Sequence, residues 1–498
     1  MMENPKLRSL LNDWLPEATI DDMQEKMENG ELSSKELVLL YMNRIAEVDP
    51  AIHSVLELNP DALHIAAALD VERREHGARG PLHGIPVLLK DNIDTHDKMH
   101  TSAGSLALEH SIAPEDSFVA SQLRKAGAVI LGKTNMTEWA NFMAIGMPSG
   151  YSSRGGQVLN PYGQGRFHVG GSSAGSGAAI AANLAAVSVG TETSGSILNP
   201  SCQNSLVGIK PTVGLISRRG IIPISYTQDT AGPMARTVKD AIYLLSALSG
   251  TDARDPVTLT NTSLRGEDFS RHLDPDGLQG AKLGVPRDPA YLEELSDEKQ
   301  ELFEQCLNQL KELGAQLKDV GIPSAEAEWG YDVLTYEFKS GVNAYLSQLP
   351  STVKVRSLAN VIAFNKHHME RTLKYGQEVL LESEETSGSL KEKEYISALE
   401  HDQYMSTEKG IDFALKVHGV EALVFPHDHG SDLAARAGYP SITVPAGYTS
   451  DGEPFGLTFT GTVYSEPILV RLAYAFEQAT KVRKPPVLEV ASMRGKRA

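Results

Sequence analysis

The stretch "HVGGSSAGSGAAIAANLAAVSVGTETSGSILNP", residues 168–200, carries two glycine–serine clusters joined by a small apolar run. It admits four chemical readings. A phosphate-binding loop would present backbone N–H groups ahead of an Ala-rich helix, but the stretch lacks a P-loop lysine and holds no G-x-G-x-x-G. A nucleophile elbow would take Gly171-Ser172-Ser173-Ala174-Gly175 as G-x-S-x-G and make Ser173 the nucleophile of an α/β-hydrolase esterase. Asp428, between His427 and His429, would complete that triad, yet the cluster at 190–196 is left without a purpose. In a third reading the small residues let a helix pack closely on a sheet, and the serines satisfy backbone groups. In the fourth the serines act in series. A serine hydroxyl is a poor nucleophile until a base takes its proton, and a lysine kept from water is neutral enough to be that base. Lys90, at the end of "GIPVLLK", is the inward-facing candidate, and an ion pair with Asp91 is its alternative role.

Beyond this stretch, the chain of 498 residues has room for one large α/β domain or two to three smaller ones. At 41% hydrophobic and 22% charged residues it has the composition of a globular protein. A net charge of −18 argues against polyanion partners, so neither nucleic acid nor a membrane surface is expected, and the basic tail Arg494, Lys496 and Arg497 is too short to reverse this. Two cysteines, Cys202 and Cys306, make no disulfide framework. With no signal-peptide core and no run long enough to span a bilayer, a cytoplasmic location is expected.

The first 75 residues read as helices. Ser33-x-x-Glu36 is a capping box, Asp49-Pro50 ends the helix it starts, and Gly77 closes the next. From residue 85 short β-prone runs alternate with helical ones: "IPVLLK", "AVILG", "AKLGV", "SITVPAG" and "GLTFTG" against 297–313 and 466–480. That alternation implies a parallel or mixed sheet covered by helices. Residues 251–280 read as a surface excursion, and 330–420 as a helical insert.

Taken together, "GPLHGIPVLLKDNIDT" (80–95), "AGAVILGKTNMTEWA" (126–140), "GGSSAGSGAAIAAN" (170–183), "GTETSGSILNPS" (190–201), "GIKPTVGLISRRGIIPIS" (208–225) and "QDTAGPMARTVKDA" (228–241) resemble the amidase signature family. The resemblance continues in "AGYPSITVPAG" (437–447) and spans nearly the whole chain. It implies a single α/β domain with a central mixed β-sheet covered by helices. Residues 1–75 are then its N-terminal helical part, 76–250 the signature core, 251–420 the excursion and insert that shape the substrate site, and 421–485 the strands and helix that complete the core. By family roles, Ser196 corresponds to the nucleophile, Ser172 to the bridging serine that follows a cis peptide bond, and Lys90 to the general base. Ser172 and Ser196 stand 24 positions apart, the spacing of the family motif. Backbone N–H groups of Thr193, Ser194, Gly195 and Ser196 correspond to the oxyanion hole.

The implied reaction is amide hydrolysis through an acyl-enzyme, with no metal or organic cofactor and with a small amide or peptide amide as the partner. The resemblance sets no oligomeric state. His83, His110 and His168 are then structural. Three residues depart from the commonest family wording: Glu192 for Asp, Ser194 for Gly, and Leu198 for the Arg that often follows the nucleophile. Leu198 argues against a glutaminase subunit of a tRNA-dependent amidotransferase, the alternative function. "GLISRRGIIPIS" and "SQLPSTVKVRSLANVIAFNKHH" resemble the bacterial peptide amidases. Proximity to the motifs makes Phe142, Met143, Tyr226 and Asp229 the expected substrate contacts, with Tyr151, Thr227 and Gln228 beside them.

Overall fold

Local signals at the N-terminus produce the elements they imply. Ser33 Oγ accepts the Glu36 N–H at 3.1 Å and the Glu36 carboxylate accepts the Ser33 N–H at 2.9 Å, so helix Ser34–Val48 starts on a closed capping box. Helix Ala62–His76 stops at Gly77, whose φ of 81° suits a residue without a Cβ. Between these helices lies a strand where only helix was expected. Val55–Leu58 pairs antiparallel with Val129–Thr134, and its four residues are too few to show a period of two.

The computed structural model describes residues 4–488, and the basic tail Arg494, Lys496 and Arg497 lies outside them. The strands are β1 (Val55–Leu58), β2 (Pro86–Lys90), β3 (Val129–Thr134), β4 (Tyr151–Ser152), β5 (Gly156–Gln157), β6 (Val187–Glu192) and β7 (Val207–Lys210). They continue as β8 (Thr230–Ala235), β9 (Lys282–Pro286), β10 (Gln316–Val320), β11 (Ala422–Pro426), β12 (Ser441–Tyr448) and β13 (Pro454–Thr460). β4 and β5 form a separate hairpin, while the other strands make one 11-stranded sheet in the order β1-β3-β2-β6-β8-β7-β12-β13-β11-β9-β10. The sheet is mixed: β3-β2-β6 and β11-β9-β10 run parallel, and the remaining neighbours antiparallel.

Among the described residues there are four apolar clusters, of which two are large. The larger surrounds the sheet and includes the N-terminal helices, which supply Leu37, Leu40 and Tyr41. The second joins Trp139, Phe142 and Met143 to Phe338, Val342 and Leu346 of helix Asp332–Gln348. Helix Ala174–Ala181 is wholly buried and made almost entirely of small residues. A Cβ on Gly175 would stand 2.3 Å from Asn135 O and 2.5 Å from Ser54 O, so the close approach of this helix depends on that glycine. Among the described residues no helix is long and apolar enough to cross a membrane.

Candidate active site

Lys90 ends β2, between β3 and β6 in the sheet. The parallel register sets Leu89 opposite Val189, so the end of β2 lies beside Thr191 on β6. Lys90 Nζ is 2.7 Å from Ser172 Oγ, 3.0 Å from Thr191 Oγ1 and 3.1 Å from Thr191 O. Asp91 does not pair with it. The Asp91 carboxylate accepts from Arg154 Nη1 at 3.0 Å, from the Gly104 N–H at 3.0 Å and from the Ser102 hydroxyl. Full burial lowers the Lys90 pKa to about 7, against the opposing pull of Glu192 and Asp229. A lysine in this setting is a base near neutral pH.

The Gly171–Ser172 peptide bond is cis. Ser173, next in the chain, is tied to backbone: its Oγ donates to Thr191 O at 3.1 Å and accepts the Thr191 N–H at 3.3 Å. No histidine reaches it. His427 Nε2 faces the Gln203 amide at 3.2 Å with its ring stacked on Phe455, and His429 Nδ1 lies 2.8 Å from Tyr291 O. The elbow triad is therefore not assembled, and the close-packing reading holds for Ser173. Its N–H donates to Ser196 O at 3.2 Å, which brings the second glycine–serine cluster against the first. Ser172 and Ser173 have no exposure, whereas Ser196 keeps 8%. Among the described residues the Ser196 hydroxyl has no hydrogen-bond partner, so the expected Ser172–Ser196 contact is not a formed hydrogen bond.

The loop around Ser196 is organised by Glu192, which the sequence marks only as a departure from the usual Asp. Its buried carboxylate accepts the N–H groups of Gly195 at 2.9 Å, Ile197 at 2.7 Å and Leu198 at 3.0 Å. Burial raises its pKa while these N–H groups and Lys210 oppose the shift. This corrects one expectation. The Gly195 N–H is already committed to Glu192, so it does not face an oxyanion. The N–H groups of Thr193, Ser194 and Ser196 have no acceptor among the described residues. On the other side of the loop, Thr193 Oγ1 donates to Asp229 Oδ1 at 2.6 Å, and the Ser194 hydroxyl donates to Asp432.

A cavity of about 330 Å³ opens beside this group, and Thr191, Thr193 and Asp229 form part of its wall. Tyr226, 42% exposed, lines it as expected. Asp229 borders it too, but both its oxygens are occupied: Oδ1 by Thr193, and Oδ2 by the N–H groups of Ile224 and Ser225 at 2.8 and 3.0 Å. Through Oδ1 it braces Thr193. Phe142 and Met143 do not line the cavity. They belong to the second apolar cluster, with the Phe142 ring 5.0 Å from that of Phe338. Tyr151 packs on Tyr375, Thr227 donates its N–H to Glu337, and Gln228 donates to Thr193 O. Missed by the sequence reading are Ala344, Tyr345 and Leu349, which the insert contributes to the cavity. The Tyr345 hydroxyl donates to Asp94 Oδ1 at 2.8 Å, and burial raises the Asp94 pKa to about 7. Each arginine at the rim meets a carboxylate: Arg218 with Asp255 at 2.6 Å, Arg219 with Asp252 at 2.8 Å, and Arg254 with Glu115 at 2.5 Å.

The chain is similar to known proteins over nearly its whole length. The Amidase family model matches residues 36–470. The crystal structure of native peptide amidase from Stenotrophomonas maltophilia is similar, with a TM-score of 0.88 and 46% identity over 95% of this chain and 99% of that one. A protein of Arabidopsis thaliana named as an amidase is 43% identical over 484 residues, 95% of this chain and 92% of that one. A glutamyl-tRNA(Gln) amidotransferase subunit from Thermosynechococcus vestitus is 32% identical over 495 residues, 93% of this chain and 98% of its own.

Proposed function

The chain belongs to the amidase family and is a hydrolase of C–N bonds; on that basis we propose that it releases ammonia from C-terminally amidated peptides or small amides, with Ser196 as nucleophile. The observation that carries this reading is the 2.7 Å contact between a fully buried Lys90 and Ser172. Neutral Lys90 takes the Ser172 proton as Ser172 takes that of Ser196, and Ser196 Oγ bonds to the amide carbon. The carbonyl π electrons move to oxygen, where the N–H groups of Thr193, Ser194 and Ser196 receive them. Each such donor contributes about 3–4 kcal/mol of transition-state stabilisation. Collapse expels the amine, which takes its proton back from Lys90 through Ser172. Water then attacks the ester by the same route, and the carboxylic acid leaves.

The cavity supports an uncharged substrate. Its rim arginines are all paired with carboxylates, so none is free to hold the α-carboxylate of glutamine. The greater similarity to a peptide amidase than to an amidotransferase subunit points the same way. The helical insert, through Ala344, Tyr345 and Leu349, takes part in choosing the substrate.

Ammonia release from an amidated dipeptide and from glutamine, at equal concentration, tests the substrate class. Turnover of the dipeptide amide at least tenfold faster is expected, and a preference for glutamine would overturn it.

A further inference from the structure

Ser194 stands on the loop around Ser196; its N–H has no acceptor among the described residues, and its hydroxyl is bonded to Asp432. Asp432 belongs to helix Ser431–Ala437, and one turn further on Arg436 returns to it. Arg436 Nη1 donates to Asp432 O at 3.2 Å and lies 3.7 Å from Asp432 Oδ1. The Arg436 side chain is only 5% exposed, and its other contacts all come from the insert and the segment leading into it. Asp402, on helix Lys393–Ser406, stands 3.4 Å from Nε. Gly330 O accepts from Nη2 at 3.2 Å, and the Trp329 ring lies 4.7 Å beneath the guanidinium. A guanidinium held on three sides by fixed groups is a rigid anchor, because its planar fork loses little freedom on binding.

The loop needs such an anchor. Glu192 fixes Gly195, Ile197 and Leu198, and Asp229 fixes Thr193. Ser194 lies between these supports, and among the described residues the only side-chain hydrogen bond that holds it is the one to Asp432. A donor works in an oxyanion hole only when its direction is set before charge develops.

The geometry points to Ser194, Asp432 and Arg436 as a positioning chain through which the helical insert fixes the Ser194 N–H toward the oxyanion. This rests on reading Ser194 N–H as an oxyanion donor and Ser196 as the nucleophile. The chain gives the serine at 194 a purpose that a glycine there would not serve. It also makes Asp432, which touches no reacting atom, a residue on which the rate depends.

The test is the rate at which a fluorophosphonate labels Ser196, because its P=O oxygen occupies the oxyanion site and no amide substrate is involved. Labelling forms the Ser196 Oγ–P bond and expels fluoride. In Asp432→Ala and in Ser194→Ala the maximal labelling rate is expected to fall about fivefold, with the half-saturating concentration unchanged, as one lost surface hydrogen bond implies. Asp432→Asn keeps an acceptor for the Ser194 hydroxyl and restores the wild-type rate. The double variant Ser194→Ala/Asp432→Ala is no slower than either single one, since both remove the same bond. Wild-type labelling of Ser196 with an unchanged rate in Asp432→Ala overturns the chain and leaves the proposed function standing. Multiplying losses in the double variant overturn it as well. Labelling of wild type at a serine other than Ser196 overturns the nucleophile reading and the chain with it.

Discussion

Lys90 Nζ lies 2.7 Å from Ser172 Oγ, although the residue next to the lysine in sequence is the aspartate Asp91. Asp91 lies in the turn just beyond β2, where its carboxylate accepts from Arg154 and from the Ser102 hydroxyl. The lysine is left without a counter-ion in contact. Its burial then favours the neutral form, which is the form a proton acceptor must have.

The pH dependence follows in sign. Burial lowers the Lys90 pKa to about 7, and Glu192 and Asp229 are the charged groups that oppose the shift. The working base is the deprotonated form, so kcat/KM rises with pH through a midpoint near 7 and falls about tenfold per unit well below it. A pH–rate profile between 5 and 9 measures this. An acid limb absent down to pH 5 would contradict a lysine base.

Among the described residues Glu192 is the only acceptor for three N–H groups of the loop around Ser196. Glu192→Ala leaves them buried and unpaired, and hydrogen bonds to a charged group contribute about 1.5–3 kcal/mol each. A lower thermal midpoint together with a loss of at least about a hundredfold in kcat is expected, measured by calorimetry and by ammonia release. Wild-type kcat in this variant would mean that the loop holds its shape unaided.

The Tyr345–Asp94 hydrogen bond fastens the insert to the chain four residues beyond Lys90. Tyr345→Phe removes one hydroxyl from the cavity wall and keeps the ring. Steady-state kinetics on a dipeptide amide should show KM raised about threefold to tenfold, with kcat changed less, from a net bond of about 0.5–1.5 kcal/mol. A loss confined to kcat would place this contact in the chemistry rather than in substrate binding.

Much of this was legible in the chain, for physical reasons that differ by residue. The capping box at Ser33 and the stop at Gly77 are local, so sequence shows them directly. β2, β3, β12 and β13 announce themselves as β-prone runs, and Lys90, Ser172 and Ser196 sit in wording specific to the family. What stayed hidden depends on direction. Phe142 and Met143 lie close to the motifs in sequence, yet their side chains point into the cluster around Phe338. Gly195 belongs to the expected set of donors, but its N–H turns to a carboxylate three residues earlier. Ala344, Tyr345 and Leu349 reach the cavity only because the insert folds back over it, a contact across about 150 residues that no local pattern encodes. The strand β1 is short and takes its conformation from pairing with β3.

The most direct measurement is ammonia release from an amidated dipeptide by wild type, Ser196→Ala and Ser173→Ala. Wild-type activity, a loss of at least about a thousandfold in Ser196→Ala, and measurable activity in Ser173→Ala is the expected result. Activity retained in Ser196→Ala and abolished in Ser173→Ala would contradict it.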